Sequence, residues 1–192
     1  MKLYLASTSP RRRELLATLG HPFETIAPAF EERPTGRSAP EEALWFAEQK
    51  ARSVAPLCPN ALILASDTLI ALGDAIFGKP ADLQEAKRML SALSGQTHDL
   101  YTAVALLNTS DSSLKKGIEQ VRVTFKTLSE EEIQKYTDSG EPMGKAGAYA
   151  IQGMGAQLIS KVEGDIQTVI GLPLQITGRF LKDVLFGPDP LP

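Results

Sequence analysis

One cysteine, Cys58, and two histidines, His21 and His98, are all that this 192-residue chain offers of thiol and imidazole chemistry. A single thiol cannot close an intrachain disulfide, a metal site built on several cysteines is excluded, and a zinc site would have to lean on carboxylates. An excess of basic charge is also missing. Twenty Lys and Arg stand against 23 Asp and Glu, for a formal net charge of -3, which argues against a nonspecific nucleic-acid binder. The apolar run at the N-terminus, Leu3-Tyr4-Leu5-Ala6, follows one Lys and is too short for a signal peptide or a membrane span. These absences predict a cytoplasmic chain with neither nucleic acid nor membrane as partner. The 43% hydrophobic content is enough for a sizeable core, and one domain over residues 1–186 is expected, with a frayed tail at 187–192.

What is present at the N-terminus builds an anion site. Ser7-Thr8-Ser9-Pro10-Arg11-Arg12-Arg13-Glu14 reads as a turn between strand and helix. Ser9 is a good N-cap, and Pro10 suits the first helical position because its missing N–H would be unpaired there anyway. Free N–H groups and the positive end of the helix dipole face the turn, and three arginines crowd the same end. Cations at a helix N-terminus are unfavourable by roughly 0.3–1 kcal/mol each unless something negative offsets them. A ligand phosphate supplies that charge; the plainer alternative is solvation or pairing with acidic neighbours such as Glu14.

Helices and strands alternate along the chain. The first helix closes at Gly20, and Phe23–Ile26 reads as a strand followed by a loop at Glu31–Pro34. Ser38-Ala39-Pro40-Glu41 is a capping box, and Leu44, Ala47, Ala51 and Val54 recur at helical spacing with Lys50 near the apolar face. Ala61–Ala65 is a continuous apolar run, the mark of a strand covered on both faces, and it is expected to end at Ser66-Asp67-Thr68. A helix is predicted over 82–93, capped by Asp82 and stopped by Gly95. Leu100–Leu107 and Gln120–Leu128 read as antiparallel strands around a turn-rich Asn108–Lys116, with Val121, Val123 and Phe125 alternating with polar residues. Ser129-Glu130-Glu131-Glu132 opens a short helix, a strand lies near 158–162, and Pro173 opens a final amphipathic helix toward Phe186.

Asp67 stands out among the carboxylates because ligands gather at the carboxyl ends of strands in α/β sheets. From position alone it could equally cap the next turn. Lys79, in Gly78-Lys79-Pro80, reads as an ordinary turn lysine when taken alone. Two apparent motifs are discounted. Gly140-Glu141-Pro142-Met143-Gly144-Lys145-Ala146 is one residue short of a phosphate loop and lacks the Ser or Thr after its lysine, and Gly153-Met154-Gly155 lacks the third glycine of a dinucleotide fingerprint. His98 has no Ser or Cys at a nucleophile elbow, so a hydrolase triad is not expected.

Taken together, Ser7-Thr8-Ser9-Pro10-Arg11-Arg12, Glu32, Lys50, Ser66-Asp67-Thr68, Gly78-Lys79-Pro80, Ser94-Gly95-Gln96-Thr97-His98, the run from Gly140-Glu141-Pro142 through Lys145 to Gly153, and Gly171-Leu172-Pro173-Leu174 resemble the Maf family of nucleoside triphosphate pyrophosphatases. The resemblance implies an α/β fold of two lobes around a mixed, curved sheet flanked by helices, with a central cleft. It implies cleavage of a nucleoside triphosphate to monophosphate and pyrophosphate, with Asp67 as base and Ser7, Arg12, Glu32, Lys50 and Lys79 on the phosphate side. A divalent cation, Mg²⁺ or Mn²⁺, is expected as cofactor, with Glu32 and Asp67 as candidate ligands, and a homodimer is implied. Arg11, Thr68 and Gln152 resemble the branch acting on dTTP and UTP, where a 7-methyl-GTP branch carries Trp, Gln and Glu. Gln152 can donate and accept on a pyrimidine's polar edge. Gly78 departs from the Glu that some pyrimidine-branch members carry there. The alternatives are an enzyme of the 7-methyl-GTP type and a non-catalytic nucleotide-binding regulator of cell division, for which an intact Asp67 beside phosphate would have no use.

Overall fold

A computed structural model describes residues 1–187; all but the first residue of the expected frayed tail lies outside the described residues. The described chain is α/β. Seven strands form one mixed sheet, β1 (Lys2–Ala6), β2 (Glu24–Ile26), β3 (Ala61–Leu72), β4 (Ala75–Phe77), β5 (Thr97–Asn108), β6 (Leu114–Phe125) and β7 (Ile159–Glu163), in the order β2-β1-β3-β5-β6-β7 with β4 also paired to β3. β1 runs parallel to both β2 and β3, whereas β4 and β7 are antiparallel to β3 and β6. The helices are α1 (Pro10–Ala17), α2 (Ala39–Val54), α3 (Leu83–Leu93), α4 (Glu130–Asp138), α5 (Ile166–Ile170) and α6 (Leu174–Phe186).

The chain divides into two compact units. The first comprises Met1–Asp67, Thr102–Glu119 and the chain from Gly171 on; the second comprises Thr68–Tyr101 and Gln120–Ile170.

In the first unit the period-two alternation of strands sorts side chains between two helix layers. Leu3 and Leu5 of β1, Leu62 and Leu64 of β3, and Val104 and Leu106 of β5 pack with Leu16 of α1 and Phe180 and Leu181 of α6. Their neighbours Ala6, Ala61, Ile63, Ala65 and Leu107 pack with Ala51 and Val54 of α2. This is why Ala61–Ala65 carries no polar residue. In the second unit Val121, Val123 and Phe125 of β6 pack with Met89, Leu90 and Leu93 of α3 and Ile133 and Tyr136 of α4, while Arg122 and Lys126 are exposed.

The caps follow the sequence. Ser9 Oγ accepts from the Arg12 N–H at 3.4 Å, Asp82 accepts from the Glu85 N–H at 2.8 Å, and Ser38 and Ser129 each form a reciprocal capping box. Three expectations change. β3 does not stop at Ser66-Asp67-Thr68 but continues to Leu72, because β1 pairs with it only as far as Leu64 and β4 then pairs with Ile70–Leu72. β5 and β6 reach further toward each other than predicted, leaving a short turn closed by the Asn108 N–H on the Ser113 carbonyl at 2.9 Å. β4 and α5, at three and five residues, are too short to leave a periodic signal.

Candidate active site

The same alternation aims the residues that follow Ala65. Odd positions of β3 face α2, so Asp67 points toward that helix; even positions face the other layer, so Ser66 does not. α2 buries Ala43, Ala47, Lys50, Ala51 and Val54 on one stripe, and Lys50 thus arrives at Asp67 from the packed side of its helix. Its ammonium donates to Asp67 Oδ1 and forms an ion pair with Glu32 Oε1 at 2.5 Å. Lys50 and Asp67 are both buried, at 5% and 2% exposure. Asp67 Oδ2 is also buried and has no hydrogen-bond partner.

Ser66 Oγ donates to the Gly171 carbonyl at 2.9 Å, and Arg12 Nε donates to the same oxygen at 2.9 Å. One carbonyl, just ahead of α6, therefore orients the arginine that α1 presents. Ser7 Oγ accepts the Ser9 N–H at 3.1 Å, which holds the turn over the N-terminus of α1. Arg11, one residue earlier on α1, is half-buried.

The electrostatics are those of a closed ionic cluster. Burial raises the Asp67 carboxyl above the usual carboxylate range; Lys50 and Arg12 pull it back and Glu32 adds to the rise. Burial likewise lowers the Arg12 guanidinium, against the opposing pull of Asp67 and Glu32, and Arg11 lowers it further. Two cations and two carboxylates cancel. A bound polyanion would therefore need more positive charge than this cluster has to spare.

A divalent cation fits that requirement. Among the described residues no three His, Cys, Asp or Glu side chains converge on one point, but Mg²⁺ is commonly held by one or two carboxylates together with substrate phosphates and water. Asp67 and the neighbouring Glu32 are the carboxylates that could serve as such a pair.

Six of the predicted residues, Ser7, Arg11, Arg12, Glu32, Lys50 and Asp67, belong to the first unit, and four of them form the cluster. Thr68, Lys79 and Gln152 belong to the second. Thr68 continues β3 directly after Asp67, Lys79 lies between β4 and α3, and Gln152 is exposed on the loop ahead of β7. The alternative that Asp67 caps a turn is removed by its position inside a strand. Residue-by-residue reading assigned no role to Ser66, Gly171 or Glu141. A carbonyl carries no residue-type signal, and Glu141 is one acid among 23 Asp and Glu.

A family model described as Maf-like protein matches residues 2–184. A protein of Myxococcus xanthus named dTTP/UTP pyrophosphatase is 48% identical over 94% of this chain and 91% of its own length. Relatives of the same name from Pelotomaculum thermopropionicum and Carboxydothermus hydrogenoformans are each 43% identical, over 94% and 95% of this chain and 95% and 98% of theirs. The chain belongs to the Maf family.

Proposed function

We propose that this chain is a pyrophosphatase acting on dTTP and UTP, releasing the nucleoside monophosphate and pyrophosphate. The observation that carries the chemistry is Asp67: a buried carboxylate whose one oxygen is held by Lys50 and whose other oxygen is unpartnered. Hydrolysis between the α and β phosphates needs a water directed at the α phosphorus and a base to take its proton. Asp67 Oδ2 is the acceptor. Burial raises its proton affinity, which makes it a stronger base than an exposed aspartate. Lys50 fixes the carboxylate's orientation through Oδ1, so the two oxygens have separate tasks.

Arg12, steadied by the Gly171 carbonyl, and Lys50 are assigned to the phosphate side, with Ser7 and the N-terminus of α1 supplying neutral donors; because Asp67 and Glu32 already balance the two cations, the net attraction for the triphosphate would come with an added cation. Lys79 adds to the phosphate side. Arg11, Thr68 and Gln152 are assigned to the base, on the resemblance to the dTTP and UTP branch and the shared name of the relatives. Glu32 and Asp67 are the candidate ligands of a divalent ion, which when bound would neutralise phosphate oxygens and polarise the reacting centre; were Asp67 Oδ2 to bind that ion, the ion and not the carboxylate would activate the water. A cytoplasmic setting rests on the sequence composition, and a homodimer rests on the family resemblance. Among the described residues no helix is long and apolar enough to cross a membrane.

A panel of dTTP, UTP, CTP, ATP, GTP and 7-methyl-GTP, with pyrophosphate and orthophosphate measured separately, tests this. dTTP and UTP are expected to have the highest kcat/KM, with pyrophosphate as the first product. Orthophosphate as primary product would overturn the reaction, and a purine triphosphate or 7-methyl-GTP outperforming dTTP would overturn the base assignment. Chelation is expected to stop turnover; an unchanged rate after exhaustive removal of divalent ions removes the metal from the mechanism.

A further inference from the structure

Gln152 is an exposed amide on an irregular loop, yet the backbone on both sides of it is fastened. Upstream, the Ala150 N–H donates to Tyr136 Oη at 3.2 Å. Downstream, the Met154 N–H donates to Glu141 Oε2 at 3.1 Å and the Gly155 N–H donates to Glu141 Oε1 at 2.9 Å. The two fastenings are joined, because Tyr136 O–H donates to Glu141 Oε1 at 3.1 Å. Glu141 is itself tied down by Lys145, whose ammonium donates to the Glu141 carbonyl. Tyr136 is buried in α4, so the assembly is rooted in a helix rather than in the loop.

Two glycines make the approach possible. A Cβ at Gly153 would lie 2.7 Å from Glu141 Oε2, and one at Gly155 would lie 2.2 Å from the Ala150 carbonyl oxygen and 2.7 Å from Tyr136 Oη. The Glu141 carboxyl is held below the usual range: burial raises its pKa, but the N–H groups of Gly155 and Met154, the Tyr136 hydroxyl and the nearby Lys145 outweigh that. An ionised acceptor of two backbone N–H groups is a strong staple.

We propose that Glu141 and Tyr136 are positioning residues for substrate selection: together they hold the 150–155 arch so that Gln152 meets the pyrimidine edge in one geometry. This rests on the assignment of Gln152 to the base made above. Rigidity matters here because discrimination by hydrogen bonding requires that the wrong base leave donors and acceptors unpaired, and a loop free to adjust would re-pair them.

The test compares wild type with Gln152→Ala, Glu141→Gln and Tyr136→Phe, recording kcat and KM for dTTP, UTP and dATP, and Tm. In Glu141→Gln and Tyr136→Phe, KM for dTTP and UTP is expected to rise about tenfold with kcat within about twofold, as for lost binding rather than lost chemistry. The dTTP-over-dATP ratio of kcat/KM is expected to fall toward that of Gln152→Ala. Tyr136→Phe keeps the packed ring, so it decides the matter if Glu141→Gln fails to fold. A merely structural role would lower all substrates together and preserve the ratio, which overturns the proposal. Collapse of discrimination in Gln152→Ala alone overturns the positioning role and leaves the base assignment standing. Discrimination that survives Gln152→Ala overturns both.

Discussion

Residues 61–65 of β3, in the first unit, and residues 121–125 of β6, in the second, bury their side chains in different ways. Residues 61–65 of β3 are apolar at every position because helices cover both faces, whereas Val121, Val123 and Phe125 of β6 alternate with Arg122 and Thr124 because a helix layer packs on one face only. The polar interiors differ in the same sense. Where both faces are dry, the buried charges neutralise one another: Lys50 between Asp67 and Glu32, with Arg12 nearby. In the second unit the polar interior holds a neutral pair, His98 Nε2 and Tyr149 Oη at 2.8 Å, and the half-buried Glu141 staple rests chiefly on backbone N–H groups, with Lys145 nearby. Paired ions suit chemistry on a charged substrate, and neutral networks suit fixed shape.

That contrast breaks most easily at Lys50. Removing one partner of a buried ion pair leaves an uncompensated charge, at about 3–5 kcal/mol. Lys50→Met should lose stability of that order in denaturant melts, and a loss under about 1 kcal/mol would show that the cluster needs no ammonium. Asp67→Asn comes next. It keeps shape and removes the base, so turnover should fall at least ~100-fold, or about 2.7 kcal/mol, while the folded protein persists. Near-normal turnover in a folded Asp67→Asn enzyme would sink the assignment.

A pH series sharpens the comparison, because the two interiors respond with opposite sign. The raised Asp67 carboxyl makes the folded chain bind more protons than the unfolded one, so its contribution to stability falls as pH rises through the folded pKa. Burial lowers His98 to about 4, against a small opposing pull from Asp99. There the unfolded chain binds more protons, and stability is lost as pH falls from about 6.5 toward 4. His98→Gln keeps a polar partner for Tyr149 and should flatten the loss between pH 7 and pH 4.5 by about 2 kcal/mol. An unchanged acid limb would mean that His98 is protonated in the folded state. The smallest effect is expected at the surface: Lys115–Asp183, at 2.6 Å and partly exposed, should contribute less than about 1 kcal/mol when tested by Lys115→Ala.

By itself the sequence determined what local physics controls. The caps at Ser9, Ser38, Asp82 and Ser129 act over three residues, the apolar run at 61–65 announces a strand covered on both faces, and the 121–125 alternation announces one covered face. The motifs from Ser7 to Leu174 were enough to identify the family. Tertiary structure alone decided the rest. The end of β3 depends on where β1 stops pairing and β4 begins, so Asp67 falls inside a strand instead of at its end. The meeting of Lys50 with Asp67 follows from which sheet face α2 covers, and the sharing of the Gly171 carbonyl by Arg12 and Ser66 joins residues 159 and 105 positions apart. Such contacts carry no periodic trace, because what selects them is the register of one strand against another and the packing of a helix on the resulting face.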